Sequence, residues 1–326
     1  MTASRFSTAL HRRCAMPSDQ NRIPFRVTPM LATLVRKPFH KPRWIYEEKY
    51  DGYRILAYKE GDRVTLVSRN GNDRTATYPS VAQAIQRLRI RTLLLDGEVA
   101  AFDSHGVSRF QLLQEGSTAT AYAVFDCLYS AGRDLRREPL EMRRPAAESA
   151  IDKVEHLIIS RRLADNGLEA FEVAKKRGYE GVVAKDLSSP YVEGRSSKWL
   201  KVKVHQQEEM VIGGFTKPEG ARRYFGALLL GAYEDGKLRY VGKVGTGFNE
   251  NTLASLYQKF RPLVQAKPAF VDPPREKGIT YLKPRLVAQI SFQEWTADRK
   301  LRQPVFLGLR DDKRPDEVRL PAKGTV

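Results

Sequence analysis

From Trp44 to Tyr58 apolar and polar side chains alternate on either side of Asp51-Gly52, and a single lysine, Lys49, stands at the edge of that tight-turn dipeptide. A period of two marks half-buried strands. The segment therefore predicts two strands joined as a hairpin at Asp51-Gly52, with Lys49 facing whatever the turn encloses. A free lysine, with a pKa of about 10.4, is a poor nucleophile at neutral pH, so a reactive one needs desolvation or neighbouring cations to favour the amine. Arg54 and lysines further along the chain are the candidate cations. A solvated strand lysine beside an ordinary turn would also satisfy a bare K-x-D-G. The two readings separate on whether other charged residues recur at the ends of otherwise apolar strands.

They do recur. Arg63 to Ser68 alternates as a strand and ends in Ser68-Arg69-Asn70-Gly71, a turn signal that places Arg69 at a loop tip. Ser80-Val81-Ala82-Gln83 reads as a capping box opening a helix, with Val81, Ile85 and Leu88 inward. Leu93-Leu94-Leu95-Asp96-Gly97-Glu98-Val99 reads as a buried strand that presents Glu98 just past a glycine, and the apolar run from Tyr122 ends at Phe125-Asp126. A further strand, Gly181 to Ala184, is bracketed by Glu180 and Lys185. In Trp199 to Lys203 the alternation puts Lys201 and Lys203 on one face and Leu200 and Val202 in the core; two cations without an adjacent acid suggest an anion site.

Near Gln206 the pattern changes to short alternating strands with glycine-rich turns: Met210 to Phe215, Ala227 to Tyr233, Leu238 to Val244, Leu286 to Trp295 and Val305 to Leu309. With one helical segment, Asn251 to Phe260, this suits a small closed barrel of the OB type. Pro268 to Pro284 reads as a long loop. Gly242-Lys243-Val244-Gly245-Thr246-Gly247 lacks the G-x-x-x-x-G-K-[ST] order of a phosphate loop and reads as a barrel turn.

At 326 residues the chain has room for two domains, and a formal charge of +18 points to a polyanionic partner, nucleic acid before an anionic membrane surface. No apolar run approaches a membrane span. Cys14 and Cys127 form no C-x-x-C, which excludes a four-cysteine zinc site and suits a reducing cytosol. Residues 1–27, with Arg5, Arg12, Arg13 and Arg22, read as a basic, disordered arm.

Lys49-Tyr50-Asp51-Gly52-Tyr53-Arg54 resembles the nucleophile motif of the covalent nucleotidyltransferases, which comprise ATP-dependent DNA ligases, RNA ligases and capping enzymes. The stretch from Phe292 to Lys313 is similar to the ligase module of bacterial ligase D, an end-joining enzyme, with Gln289 and Gln303 as departures from its pattern. The resemblance implies an α+β fold: an ATP-grasp-like nucleotidyltransferase (adenylation) domain over 28–205, built of antiparallel sheets and helices, then an OB barrel over 206–326. It implies that Lys49 accepts AMP, that Glu47 reads the adenine amino group and that Phe125 stacks on the base. Arg54 and Arg69 match arginines near the ribose, the phosphates or the nicked strand. Glu98 and Glu180 match metal carboxylates, Lys201 and Lys203 the grip on the α-phosphate, and Arg310, Asp312 and Lys313 the motif that orients pyrophosphate. Carboxylates without His or Cys suit Mg²⁺ or Mn²⁺.

The implied cofactor is ATP and the implied partner nicked or broken double-stranded DNA, bound by a monomer at the bacterial nucleoid. A Ku-like end-binding protein, and a separate polymerase or nuclease for which this chain has no room, are the further partners that the resemblance implies. Alternatives are an RNA ligase, a capping-type enzyme, or a catalytically silent OB-containing protein that binds nucleic acid.

Overall fold

The run from Leu93 to Val99 is stable only in a strand covered on both faces, and the fold supplies both covers. The computed structural model describes residues 22–116, 120–151, 153–204, 206–218, 220 and 222–321. The chain begins with β1 (Met30–Leu34), β2 (Trp44–Glu48), β3 (Tyr53–Glu60), β4 (Arg63–Ser68), α1 (Pro79–Gln86), β5 (Thr92–Ala101) and α2 (Phe110–Gln114). It continues through β6 (Thr120–Ser130), β7 (Arg133–Asp134), α3 (Leu140–Ala150), β8 (Leu157–Ile159), β9 (Arg162–Ala164), α4 (Gly167–Arg177), β10 (Gly181–Asp186) and β11 (Gly194–Lys203). The last part gives β12 (Gln206–Thr216), β13 (Leu228–Glu234), β14 (Lys237–Val244), α5 (Glu250–Phe260), β15 (Val264–Gln265), β16 (Ile279–Phe292), β17 (Glu294–Trp295), β18 (Leu301–Arg302) and β19 (Val305–Leu309). Among the described residues no helix is long and apolar enough to cross a membrane.

Two sheets make the first part. One runs β1-β11-β10-β2-β9; the other runs β4-β3-β5-β6-β7, with β8 beside β6. Leu93, Leu95 and Val99 of β5 pack with Val81 and Ile85 of α1 and Ala147 of α3 on the outer face. Leu94 points the other way, into a cluster with Leu56, Tyr58, Phe125, Met30, Tyr191 and Trp199 that joins the two sheets. On the far side of the first sheet, Ala170 and Ala174 of α4 cover Tyr46, Val182, Ala184 and Leu200. Helix α4 is defined at both ends: the Asn166 side chain accepts from the Leu168 amide, and Gly178, at φ +73°, closes the last turn.

The third sheet runs β14-β13-β12-β16-β15, with β19 also on β16. Strand β16 pairs along one edge first with β15, at Leu282 and Tyr281, and later with β19, from Ala288 to Ser291. One long bent strand thereby serves two neighbours, and α5 buries Leu253, Leu256 and Phe260 in the same core.

Several expectations are corrected. Asp51-Gly52 is not a hairpin turn: β2 pairs with β10 and β9, whereas β3 pairs with β4 and β5, so the dipeptide carries the chain from one sheet to the other. Alternation fixes the face a residue takes, not which strand lies beside it. The crossing is held by the Asp51 amide donating to Ser108 Oγ at 3.0 Å and by the Asp51 carboxylate accepting from the Phe110 amide at 3.2 Å. Gly52 is required there because a Cβ would lie 2.2 Å from the Val99 carbonyl oxygen.

Ser80 does not cap its helix. Helix α1 starts at Pro79, whose fixed φ suits the first turn, with Tyr78 at the N-cap; Val81 and Ile85 face inward as expected. Pro284 lies inside β16, between the residues that pair with Gly214 and Ile212, where the ladder is irregular and no amide is needed. The expected arm falls partly outside the described residues, but 22–27 are packed on the second sheet. Ile23 is buried, its amide donates to Glu60 at 2.9 Å, and the Val27 amide donates to Tyr58 Oη at 3.0 Å. Phe25 lies edge-on to Tyr129 and carries the Arg136 guanidinium 3.6 Å from its ring centroid.

Candidate active site

Because Asp51-Gly52 crosses between sheets, the end of β2 opens at their junction, and Lys49 projects there into a cleft. All twelve residues singled out in the sequence line this cleft: Glu47, Lys49, Arg54, Arg69, Glu98, Phe125, Glu180, Lys201, Lys203, Arg310, Asp312 and Lys313. Three of them come from the loop that follows β19, so the barrel closes one wall.

Lys49 Nζ is ion-paired with Glu180. Burial, the largest single influence, works against the ammonium, but the Glu180, Asp51 and Glu98 carboxylates together outweigh it, so the pKa of Lys49 stands above its ordinary value. The expected cationic environment is therefore reversed in this state: Arg54 is committed elsewhere, and the nearest partner of Lys49 is an acid. Arg54 forks onto Asp96, with Nε 2.5 Å from Oδ1 and Nη2 2.6 Å from Oδ2, while its guanidinium lies 4.4 Å from the Phe125 centroid. Tyr191 donates to the same Asp96 oxygen, Oδ2, at 2.6 Å.

The opposite wall is basic. Burial pushes Lys201 down to about 7, helped by Lys203, Lys49 and Lys313, so entry of a polyanion would relieve the repulsion among these cations. Lys313 pairs with Glu209 at 3.1 Å, and Arg310 forks onto Asp312 at 2.7 Å while its guanidinium lies 4.6 Å from the Phe110 centroid. Across the cleft mouth, Arg69 meets Glu317 at 3.3 Å, Arg74 meets Asp311 at 2.7 Å, and Asn70 Nδ2 donates to the Asp312 carbonyl at 2.7 Å.

Glu98 and Glu180 flank Lys49, and both act electrostatically on it. Burial raises Glu98 to about 7. Among the described residues no three His, Cys, Asp or Glu side chains gather into a metal cage. Two hard carboxylates without a full cage fit Mg²⁺ or Mn²⁺, which keep waters and take phosphate oxygens.

Sequence reasoning missed Asp96, Arg144, Ser160 and Glu209. For Asp96 a signal existed, since a carboxylate inside a run of leucines must find a buried partner. Arg144 and Ser160 carry no comparable signal, because their partner, Glu47, lies far away in the chain.

A nucleotidyltransferase fold followed by an OB barrel, with a lysine in the cleft between them, defines a covalent nucleotidyltransferase. Residues 29–203 match the family model described as ATP dependent DNA ligase domain, and 221–313 match ATP dependent DNA ligase C terminal region. The chain belongs to the ATP-dependent DNA ligase family, for which ATP is the nucleotide.

The multifunctional non-homologous end joining protein LigD of Pseudomonas aeruginosa is 39% identical over 91% of this chain, and that of Mycolicibacterium smegmatis is 38% identical over 93%. The chain spans 37% and 41% of the lengths of these two relatives. DNA ligase C1 of M. smegmatis is 30% identical over 89% of this chain and 91% of its own length. The solved structure of mycobacterial DNA ligase D complexed with ATP and MES is similar, with a TM-score of 0.70 at 37% identity over 90% of this chain and 98% of that one.

Proposed function

We propose that this chain seals strand breaks in duplex DNA by end joining, through an AMP held on Lys49. The Lys49 amine attacks the α-phosphorus of ATP: a P–N bond forms, the bond to the bridging oxygen breaks, pyrophosphate leaves, and the ammonium proton is lost to solvent. AMP then passes to a DNA 5′-phosphate, and a 3′-hydroxyl displaces it as the phosphodiester forms. The observation that carries this reading is the convergence of Lys49 and eleven other residues, from both parts of the chain, on one cleft.

Each side chain has a task that its position supports. Glu47 accepts from the adenine amino group, and Phe125 covers the base. Arg54 and Glu98 lie toward the ribose. Lys201 and Lys203 grip the α-phosphate, while Arg310, Asp312 and Lys313 orient the departing pyrophosphate. Negative charge spreads over equatorial oxygens and leaving group in an in-line displacement, and fixed cations stabilise it. Glu98 and Glu180 would hold a divalent ion, whose charge supplies Lewis-acid stabilisation of the phosphates.

The basic surface clamps DNA mainly through phosphates, so binding is insensitive to sequence and falls steeply with salt. The division is an arm before residue 28, a nucleotidyltransferase domain to 205 and a barrel beyond. Two of the relatives carry non-homologous end joining in their names, which supports this reading, and in that role a Ku-like protein at DNA ends would recruit the chain. The test is sealing of a labelled nicked duplex with ATP and Mg²⁺: sealing by the native chain and none by Lys49→Ala supports the reading. Sealing by the variant, or only of RNA strands by the native chain, overturns it.

A further inference from the structure

Glu47 is 1% exposed, yet lines the cleft, and its carboxylate is gripped from behind at both oxygens. Oε1 accepts from Arg144 Nη1; Oε2 accepts from Lys185 Nζ at 2.7 Å and from Ser160 Oγ at 3.0 Å. Arg144 is itself immobilised, with Nε on Glu148 at 2.9 Å and Nη2 on the Ser160 carbonyl at 2.8 Å. A carboxylate has about four acceptor directions, so three protein donors leave one. The terminal torsion of a glutamate is broad and two-fold, and only a grip on both oxygens fixes the carboxylate plane. Among the described residues Arg144 alone supplies the grip on Oε1. The Lys185 ammonium also lies 4.2 Å from the Phe125 centroid, so one cation ties the ring that covers the base to the group that reads its edge.

We propose that Arg144, on α3 and outside every motif recognised in the sequence, is a specificity-positioning residue. With Ser160 and Lys185 it holds Glu47 acceptor-only, with one free direction aimed into the cleft, so the site selects a purine with an amino donor over one with a carbonyl or a bare carbon. This deepens the reading of Glu47 given above and rests on it. Arg144 does not touch the nucleotide; it acts through Glu47. A merely structural arginine at this place would change stability without changing which base is accepted.

Formation of the lysine–nucleotide adduct, followed by intact mass and by rate in the full chain with Mg²⁺, tests this with ATP, GTP and purine riboside triphosphate, which lacks the amino group. Arg144→Met is expected to raise KM for ATP about tenfold and to bring the ratio of ATP to purine riboside triphosphate efficiency toward one, because an unfixed carboxylate no longer rewards the donor. The loss falls on KM more than on the rate at saturating ATP, and Arg144→Lys recovers part of it. Ser160→Ala, a smaller change expected to fold, shifts the ratio in the same direction by a few fold.

Folded Arg144→Met and Ser160→Ala that both keep the native ratio overturn the proposal. If Glu47→Gln also keeps that ratio, Glu47 does not read the base and the proposal fails at that step. If no nucleotide gives an adduct with the native chain, the ligase reading fails with it.

Discussion

Asp96→Asn should destabilise the protein severely, and the geometry sets the size. Asp96 is wholly buried, and each of its carboxylate oxygens accepts from Arg54, with Tyr191 as a third donor. An asparagine removes the charge and turns an NH₂ toward donors, leaving the guanidinium beside the Phe125 and Trp199 rings without its forked counter-ion. Breaking a buried pair from one side costs about 3–5 kcal/mol, a large share of the roughly 5–15 kcal/mol that holds a domain folded. Urea unfolding followed by tryptophan fluorescence reads this loss, since Trp199 lies 5.5 Å from the Arg54 guanidinium. Replacing both partners, Arg54→Met with Asp96→Leu, should recover much of it, because no charge is then left buried and unpaired. A loss under about 1 kcal/mol for Asp96→Asn, or a double variant as unstable as the sum of its parts, would refute the reasoning.

In chelator-treated protein, Glu98→Gln should gain stability over the native chain as pH rises. Burial holds the folded carboxyl near 7 against an ordinary 4.5, so between those values the folded state keeps a proton that the unfolded chain has released, and stability is lost as pH rises through that window. The difference between the two proteins should grow from near zero at pH 4.5 to about 1–3 kcal/mol at pH 7.5 in denaturant titrations; a constant difference would contradict it. Deleting the chain up to Val27 should lower the melting temperature and weaken ATP binding, because Ile23 packs in the same cluster as Phe125 and Trp199. Calorimetry and ATP titration check this, and a deletion that matches the full chain in both would show that the segment is only a tether.

What the sequence displays is the chemistry, and what it conceals is adjacency. Lys201 and Lys203 share a face because a strand has a period of two, and Leu200 and Val202 are buried opposite them, as the pattern requires. Gly71, at φ +82°, closes the turn that presents Arg69, again a local property of Asn-Gly. The partners of those residues are another matter. The same alternation around Asp51-Gly52 would serve a hairpin or a crossing between sheets, and only the packing of Gly52 against Val99 decides. Arg69 is readable as a loop-tip cation, but its Glu317 partner belongs to the barrel. Glu47 is readable as a strand acid, while the Arg144 that grips it lies on a helix that no local pattern links to it.

The central claim is that Lys49 is a nucleophile toward ATP, and the intact mass of the purified chain after incubation with ATP or GTP and Mg²⁺ tests it most directly. A single AMP increment from ATP, absent with GTP and absent in Lys49→Ala, is the predicted result. An increment that survives in Lys49→Ala, one that forms from GTP alone, or none at all in well-folded protein would contradict the claim.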